Sequence, residues 1–193
     1  MRKATIDRNT NETQIRLSIN LDGNGTHNIS TGVGFLDHML EIFAVHSGFD
    51  LNVFVKGDLE VDSHHTIEDV GIVLGKAFAK ASEDKTGLTR YGSFILPMDE
   101  VLVFSAVDIS GRPFIMCDVP LPDSSVGSFD CEMLPEFMRA FAMNSGITLH
   151  LKLMYGVNKH HIIEGCFKSL AHSLKIAAKK NDSDQILSSK GVI

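Results

Sequence analysis

From Gln14 to Leu21 the chain alternates: Ile15, Leu17, Ile19 and Leu21 are apolar, while Gln14, Arg16, Ser18 and Asn20 are polar. A period of two is that of a strand with one buried face. Asp22-Gly23-Asn24-Gly25 reads as a hairpin turn leading into a second short strand at residues 26–30. At Phe35 the period becomes helical, and Phe35, Leu36, Met39, Leu40 and Phe43 recur until Gly48 stops the helix. Leu51, Val53 and Val55 predict another strand. A helix from about His65 follows, with Ile67, Val70, Leu74, Ala77, Phe78 and Ala81 as its apolar stripe.

The same programme then repeats. Strands at residues 101–107 and 114–119 flank the turn Ser110-Gly111-Arg112. A helix covers residues 131–144 up to Gly146, and Ile147, Leu149, Leu151 and Leu153 alternate as a strand. A last long helix starts near His160 and buries Ile163, Phe167, Leu170, Leu174 and Ala177; residues 179–184 are polar and 185–193 form a short tail. A shift of 98 lays Phe43 on Phe141, Ala44 on Ala142, Gly48 on Gly146 and Leu51 on Leu149. A shift of 96 lays His64-His65 on His160-His161, Glu68 on Glu164 and Leu74 on Leu170. Two copies of β-β-α-β-α, each with room for a further strand at its start, predict an α+β fold. The unit is internally duplicated, β-sheet backed by two helices, giving two pseudo-symmetric halves in one compact subunit. The halves are read as residues 1–92 and 93–180, with 181–193 as a tail, one structural domain overall.

Composition narrows the function. At 193 residues, 44% hydrophobic and 22% charged, the chain is globular rather than disordered. Its net charge of −6, with no long basic run, excludes the footprint of a nucleic-acid binder. No apolar stretch approaches the roughly 18 residues that span a bilayer, and the start lacks a signal-peptide core. Cys117, Cys131 and Cys166 are too few and too scattered for a disulfide framework or a thiolate zinc site, so the expected compartment is the cytoplasm. Nine histidines remain, four of them in two adjacent pairs.

Those pairs open matching helices. Asp62-Ser63-His64-His65-Thr66-Ile67-Glu68 and Asn158-Lys159-His160-His161-Ile162-Ile163-Glu164 both read H-H-x-x-E. Residues four apart share a helix face, so His64 with Glu68, and His160 with Glu164, can each grip one ion. His65 and His161 lie about 100° around the axis and must reach a different ion. Two metals are therefore expected, each taking a His/Glu pair from one motif and the odd histidine from the other, within a chain or between chains. A lone motif of this kind is more often a polar helix cap, but two copies at matching places favour ligands. Imidazole and carboxylate without thiolate suit Mn, Fe, Co, Ni or Zn, and an octahedral site open to substrate favours manganese. His38 and Glu136, related by the shift of 98, are candidate further ligands.

The doubled motif, Phe35-Leu36-Asp37-His38-Met39-Leu40, the early Arg8-Asn9-Thr10-Asn11-Glu12-Thr13 and the tail Ser188-Ser189-Lys190-Gly191 together resemble the imidazoleglycerol-phosphate dehydratase family of histidine biosynthesis, in its monofunctional form. The resemblance covers essentially the whole chain. It implies a duplicated α+β fold, a homo-oligomer of 24 subunits, and two Mn²⁺ per active site, with the sites built between subunits. One ion would take His38, His65, His160 and Glu164, the other His64, Glu68, Glu136 and His161. Some members carry His where Glu136 stands. By the same resemblance Glu12 is the acid–base carboxylate, and Arg90, Arg112, Lys168, Ser188, Ser189 and Lys190 contact substrate or its phosphate. His46 matches a position beside the substrate. His27, His150 and His172 have no motif support.

The implied reaction turns D-erythro-imidazoleglycerol phosphate into imidazoleacetol phosphate and water, with no nucleic acid or membrane involved. The proton to be lost has no adjacent carbonyl, so two Lewis acids on the imidazole would help expel the neighbouring hydroxyl, after which Glu12 takes the proton. A dinuclear metal hydrolase acting on a phosphate ester is the alternative enzyme, and a protein whose metals merely join subunits is the alternative outside enzymes.

Overall fold

In the computed structural model, which describes residues 2–183 and 185–191, each half lays down three strands, a helix, a strand and a helix. Asp184, and Val192 and Ile193 of the tail, lie outside the described residues. The first set is β1 (Lys3–Asn9), β2 (Thr13–Asn20), β3 (His27–Ser30), α1 (Gly34–Ser47), β4 (Asp50–Gly57) and α2 (His64–Ala81). The second is β5 (Tyr91–Met98), β6 (Val101–Asp108), β7 (Phe114–Asp118), the two-residue strands β8 (Ser125–Val126) and β9 (Phe129–Asp130), α3 (Met133–Ser145), β10 (Thr148–Tyr155) and α4 (Lys159–Ala177). The β8–β9 ribbon is extra to the second half, and the second set of elements opens at Tyr91.

Both halves build one sheet order, β1-β2-β4-β3 and β5-β6-β10-β7. This corrects the hairpin reading of Asp22–Gly25. β3 runs parallel to β4 at the far edge, and β2 pairs with β4 instead. The cause lies in Asp50, at the start of β4. Its Oδ1 accepts the backbone N–H groups of Asn24 (2.9 Å) and Thr26 (3.1 Å), tying the loop to β4 rather than closing it on β2. Leu51 and Val53 of β4 are fully buried, so β4 takes a central place and the four-residue β3 is left at the edge. In the second half β7 likewise runs parallel to β10.

The helices cross between halves. α1 packs on α4 and α2 on α3, so each helix pair joins one half to the other over a continuous core. Phe43 and Phe141, equivalents in the repeat, meet with ring centroids 6.5 Å apart, and Phe78 adds its ring to Phe141 at 6.0 Å. α1 and α3 both end on a left-handed glycine, Gly48 and Gly146. The outer faces of the sheets differ. The first shows Thr5, Asp7, Gln14, Arg16 and Asn52 with Phe54, whereas the second shows Ile95, Phe114, Met116 and Met154 with half-buried Leu102 and Phe104. Among the described residues no helix is long and apolar enough to cross a membrane.

Candidate active site

Both H-H-x-x-E motifs sit in the first turn of a long helix. Asn158 caps α4, its side-chain oxygen accepting the N–H groups of His160 (3.0 Å) and His161 (3.4 Å). In α2 the His64 N–H is taken by Asp62 Oδ1 at 2.7 Å. These bonds leave the imidazoles free to project from the helix starts.

The helix pairing then gathers donors from opposite halves. Where α1 meets α4, His160 Nε2 lies 3.2 Å and His38 Nε2 3.8 Å from Glu164 Oε2. Ligand atoms of these three residues all fall within 4.8 Å of one another. Burial works to raise the Glu164 carboxyl, but hydrogen bonds from Lys168, at 2.5 Å, and His160 outweigh it and hold it below its ordinary value. Where α2 meets α3, His64 Nε2 is 3.9 Å from Glu68 Oε2, and Arg139 bridges Glu68 (3.2 Å) to Glu136. A cation thus already lies between the two carboxylates. One compact donor set results, His38 with His160 and Glu164, and at the equivalent place a looser group, His64 and Glu68 with Glu136 reached through Arg139.

The odd histidines do not join the sets of their own chain. His65 Nδ1 lies 2.9 Å from Asp58 Oδ2 and its Nε2 3.8 Å from Glu12 Oε1. His161 Nδ1 lies 2.9 Å from Glu100 Oε2, and its Nε2 3.9 Å from Asp99 Oδ2. The hydrogen bonds to Asp58 and Glu100 raise both imidazoles above their ordinary value. In return Glu100 is pulled down to about 2, first by its bond with His161.

Glu12 is exposed in the β1–β2 turn. That turn is held from beneath by buried Asp69, which takes the Thr13 hydroxyl at 2.5 Å and Arg8 at 2.8 Å. On one face of α4, His160, Glu164, Lys168 and His172 follow at steps of four. His46 of α1 meets the last of them, Nδ1 to Nε2 at 3.1 Å. Arg90 is buried, left-handed at φ 70°, and committed to Asp108 (2.7 Å) and the Leu187 carbonyl (2.6 Å), so it fastens the tail to the second sheet. Exposed Arg112 stands 3.7 Å from the same Asp108. Ser188 and Ser189 line a cavity of about 300 Å³ with Leu88 and Gln185, and Lys190 is exposed beside them.

Residues 31–174 match a family described as imidazoleglycerol-phosphate dehydratase. The chain belongs to that family. Imidazoleglycerol-phosphate dehydratase of Thermoanaerobacter pseudethanolicus is 55% identical, with 100% of both chains covered. Among solved structures, the dehydratase of Staphylococcus aureus superposes with TM-score 0.85 at 41% identity over 93% of this chain and 99% of that one. The Pyrococcus furiosus protein, in complex with (S)-C348, gives 0.84 at 38% over 97% and 100%. Membership of the imidazoleglycerol-phosphate dehydratase family makes the chain a hydro-lyase of histidine biosynthesis. Of the residues its sequence singled out, one chain brings together His38, His160, Glu164 and Lys168, and separately His64, Glu68 and Glu136. His65, His161 and Arg90 are engaged with other partners, and His46 pairs with His172 close enough to Glu164 and Lys168 to feel their charges. Sequence reasoning passed over Asp58, Glu100, Arg139, Asp69 and Asp108. Only Glu100 had a signal there, since it lies 88 residues after Glu12, as β6 does after β2.

Proposed function

We propose that the protein dehydrates D-erythro-imidazoleglycerol phosphate to imidazoleacetol phosphate at a dinuclear Mn²⁺ site completed between subunits. The observation that carries this reading is the compact donor set of His38, His160 and Glu164, with His64, Glu68 and Glu136 linked through Arg139 at the equivalent place, while His65 and His161 have Nδ1 held by Asp58 and Glu100 and Nε2 outside both groups. His65 from a second copy would complete His38, His160 and Glu164, and His161 would complete His64, Glu68 and Glu136. The donors fit the ions: imidazole and carboxylate without thiolate, and two carboxylates already drawn to the guanidinium of Arg139. The apolar outer face of the second sheet supports a symmetric homo-oligomer.

When bound, the ions supply Lewis acidity to the substrate's imidazole ring. Glu12, beside His65 Nε2, would take the carbon-bound proton once the neighbouring hydroxyl has left, and that proton and the departed hydroxide together make the water released. Lys168 brings positive charge one turn from Glu164, and Arg112, Ser188, Ser189 and Lys190 offer donors for the phosphate, with Arg90 holding the tail that carries them. His46 lies on the same helix face as His38, two turns on. Residues 1–92 and 93–180 are the repeats in this reading, with 181–193 serving substrate. Three unpaired cysteines suit the cytoplasm.

The deciding experiment assays imidazoleglycerol phosphate with the chelated protein before and after Mn²⁺ is restored. A ketone product without free phosphate, appearing only with metal, is expected; release of phosphate would favour the hydrolase. Glu12→Gln should retain both ions and lose about 10²–10⁴-fold in turnover. Near-normal turnover in that variant would remove Glu12 from the reaction.

A further inference from the structure

The repeat sets two carboxylates in equivalent places and gives them different work. The turn before β2 aligns with the turn before β6, placing Glu12 on Glu100 and Asn11 on Asp99. Each glutamate faces the odd histidine of its own half. Glu100 takes His161 by Nδ1 at 2.9 Å, and its other oxygen accepts the Asn158 N–H at 2.9 Å. Glu12 instead stands 3.8 Å from the opposite ring nitrogen, Nε2, of His65, because His65 Nδ1 is already held by Asp58.

Asp58 directly follows β4, and the residue that directly follows β10 is Gly156. No side chain fits there. The backbone has φ 143°, and a Cβ would approach Val101 Cγ2 to 2.5 Å. The second half therefore holds its histidine's Nδ1 with the turn glutamate, Asp99 standing 3.9 Å from Nε2, while the first holds Nδ1 with Asp58. An imidazole that donates Nδ1–H to a carboxylate is fixed in the tautomer whose Nε2 lone pair faces outward.

We propose that Asp58 and Glu100 are positioning residues for His65 and His161, each accepting Nδ1–H so that Nε2 is presented to a divalent cation, and that Asp58 takes over in the first half the duty Glu100 keeps in the second, leaving the Glu12 carboxylate to face substrate. The inference rests on the dinuclear reading above. It assigns the chemical asymmetry of the two halves to a single aspartate.

The test strips the assembled protein with chelator and titrates it with Mn²⁺, following the free-ion signal by electron paramagnetic resonance, with sedimentation as the check on assembly. Wild type should take two ions per chain. Asp58→Ala and Glu100→Ala should each weaken one of the two by about 10–100-fold, the range for loss of an outer partner of a ligand histidine. Asp58→Asn and Glu100→Gln, whose amide oxygens still accept Nδ1–H, should recover most of it. Glu12→Ala should bind both ions as wild type does while losing turnover. If an alanine variant fails to assemble, Asp58→Ser and Glu100→Ser carry the same expectation. Wild-type Mn²⁺ affinity in both Asp58→Ala and Glu100→Ala, or an equal loss in Glu12→Ala, would overturn the inference. Wild type that binds no Mn²⁺ would instead bring down the dinuclear reading, and the inference with it.

Discussion

His46 and His172 share one hydrogen bond, and His172 stacks on Phe94 with centroids 4.2 Å apart. Burial holds both imidazoles below their ordinary value, helped at His46 by His172 and Lys168 and at His172 by Lys175; only Glu164 pulls His46 the other way. In the folded chain the pair therefore takes up protons at lower pH than in the unfolded chain, where imidazoles protonate at about pH 6.5. Below that value the unfolded state binds more protons, so stability present above about pH 6.5 is lost as pH falls through the depressed folded values. His172→Gln can still donate to His46 Nδ1 but does not titrate. In metal-free protein it should flatten the fall of Tm between about pH 7 and 5; an unchanged slope would show the pair does not govern acid stability. At this scale the doubled motif was legible, because a helix fixes which residues share a face. Asp58 and Arg139 were not, since each meets its partner across a turn or between helices, and Glu100 was marked only by its offset of 88 from Glu12.

At the scale of elements, α2 approaches α3 through Gly71 and Gly75. A Cβ at Gly75 would lie 2.7 Å from the Phe141 carbonyl oxygen and 2.9 Å from Asn144 Cβ. Both neighbours belong to a packed helix and have little room to retreat. Gly75→Ala should therefore cost about 1–3 kcal/mol, read as a lower denaturant midpoint at constant m-value. The same crossing brings Glu68 and Glu136 to Arg139, so in the proposed dinuclear reading the variant should weaken binding of one Mn²⁺ and spare the one assigned to His38, His160 and Glu164. Stability equal to wild type would mean that the crossing is looser than it stands here. The helices were legible because a 3.6-residue period and glycine stops mark them locally. The order of the strands was not. β3 has four residues and little apolar content, so its sequence does not choose between β2 and β4; Asp50, a strand away, makes the choice. Nor does an apolar stripe name the helix it will meet, and the exchange of helices between halves emerged only in three dimensions.

At the scale of the whole molecule, the two halves keep one topology but turn different faces outward. The residues of β6 are largely apolar on both faces: Val101, Val103 and Val107 point into the core with Ser105 among them, while Leu102, Phe104 and Ala106 point away from it. A strand of an antiparallel pair that is apolar on both faces is covered on both. Ile95, Phe114 and Met116 extend that outer surface across the sheet, whereas the outer face of the first sheet is mostly polar around Phe54. In the proposed function the cover is another copy of this chain, whose donor sets would take up the His65 and His161 that their own chain leaves outside. Each large apolar side chain buried in such a contact contributes about 1.5–3 kcal/mol, so a charge placed there is costly in every copy at once. Ile95→Lys combined with Met116→Glu should shift the protein to smaller species in sedimentation, and Mn²⁺ retention and dehydratase activity should fall in step with the assembled fraction. Thr5→Lys, on the polar outer face of the first sheet, should leave all three unchanged. A double variant that sediments as wild type would exclude this face from the assembly, and one that dissociates yet keeps both ions would mean that a single chain can bend its own His65 and His161 into place.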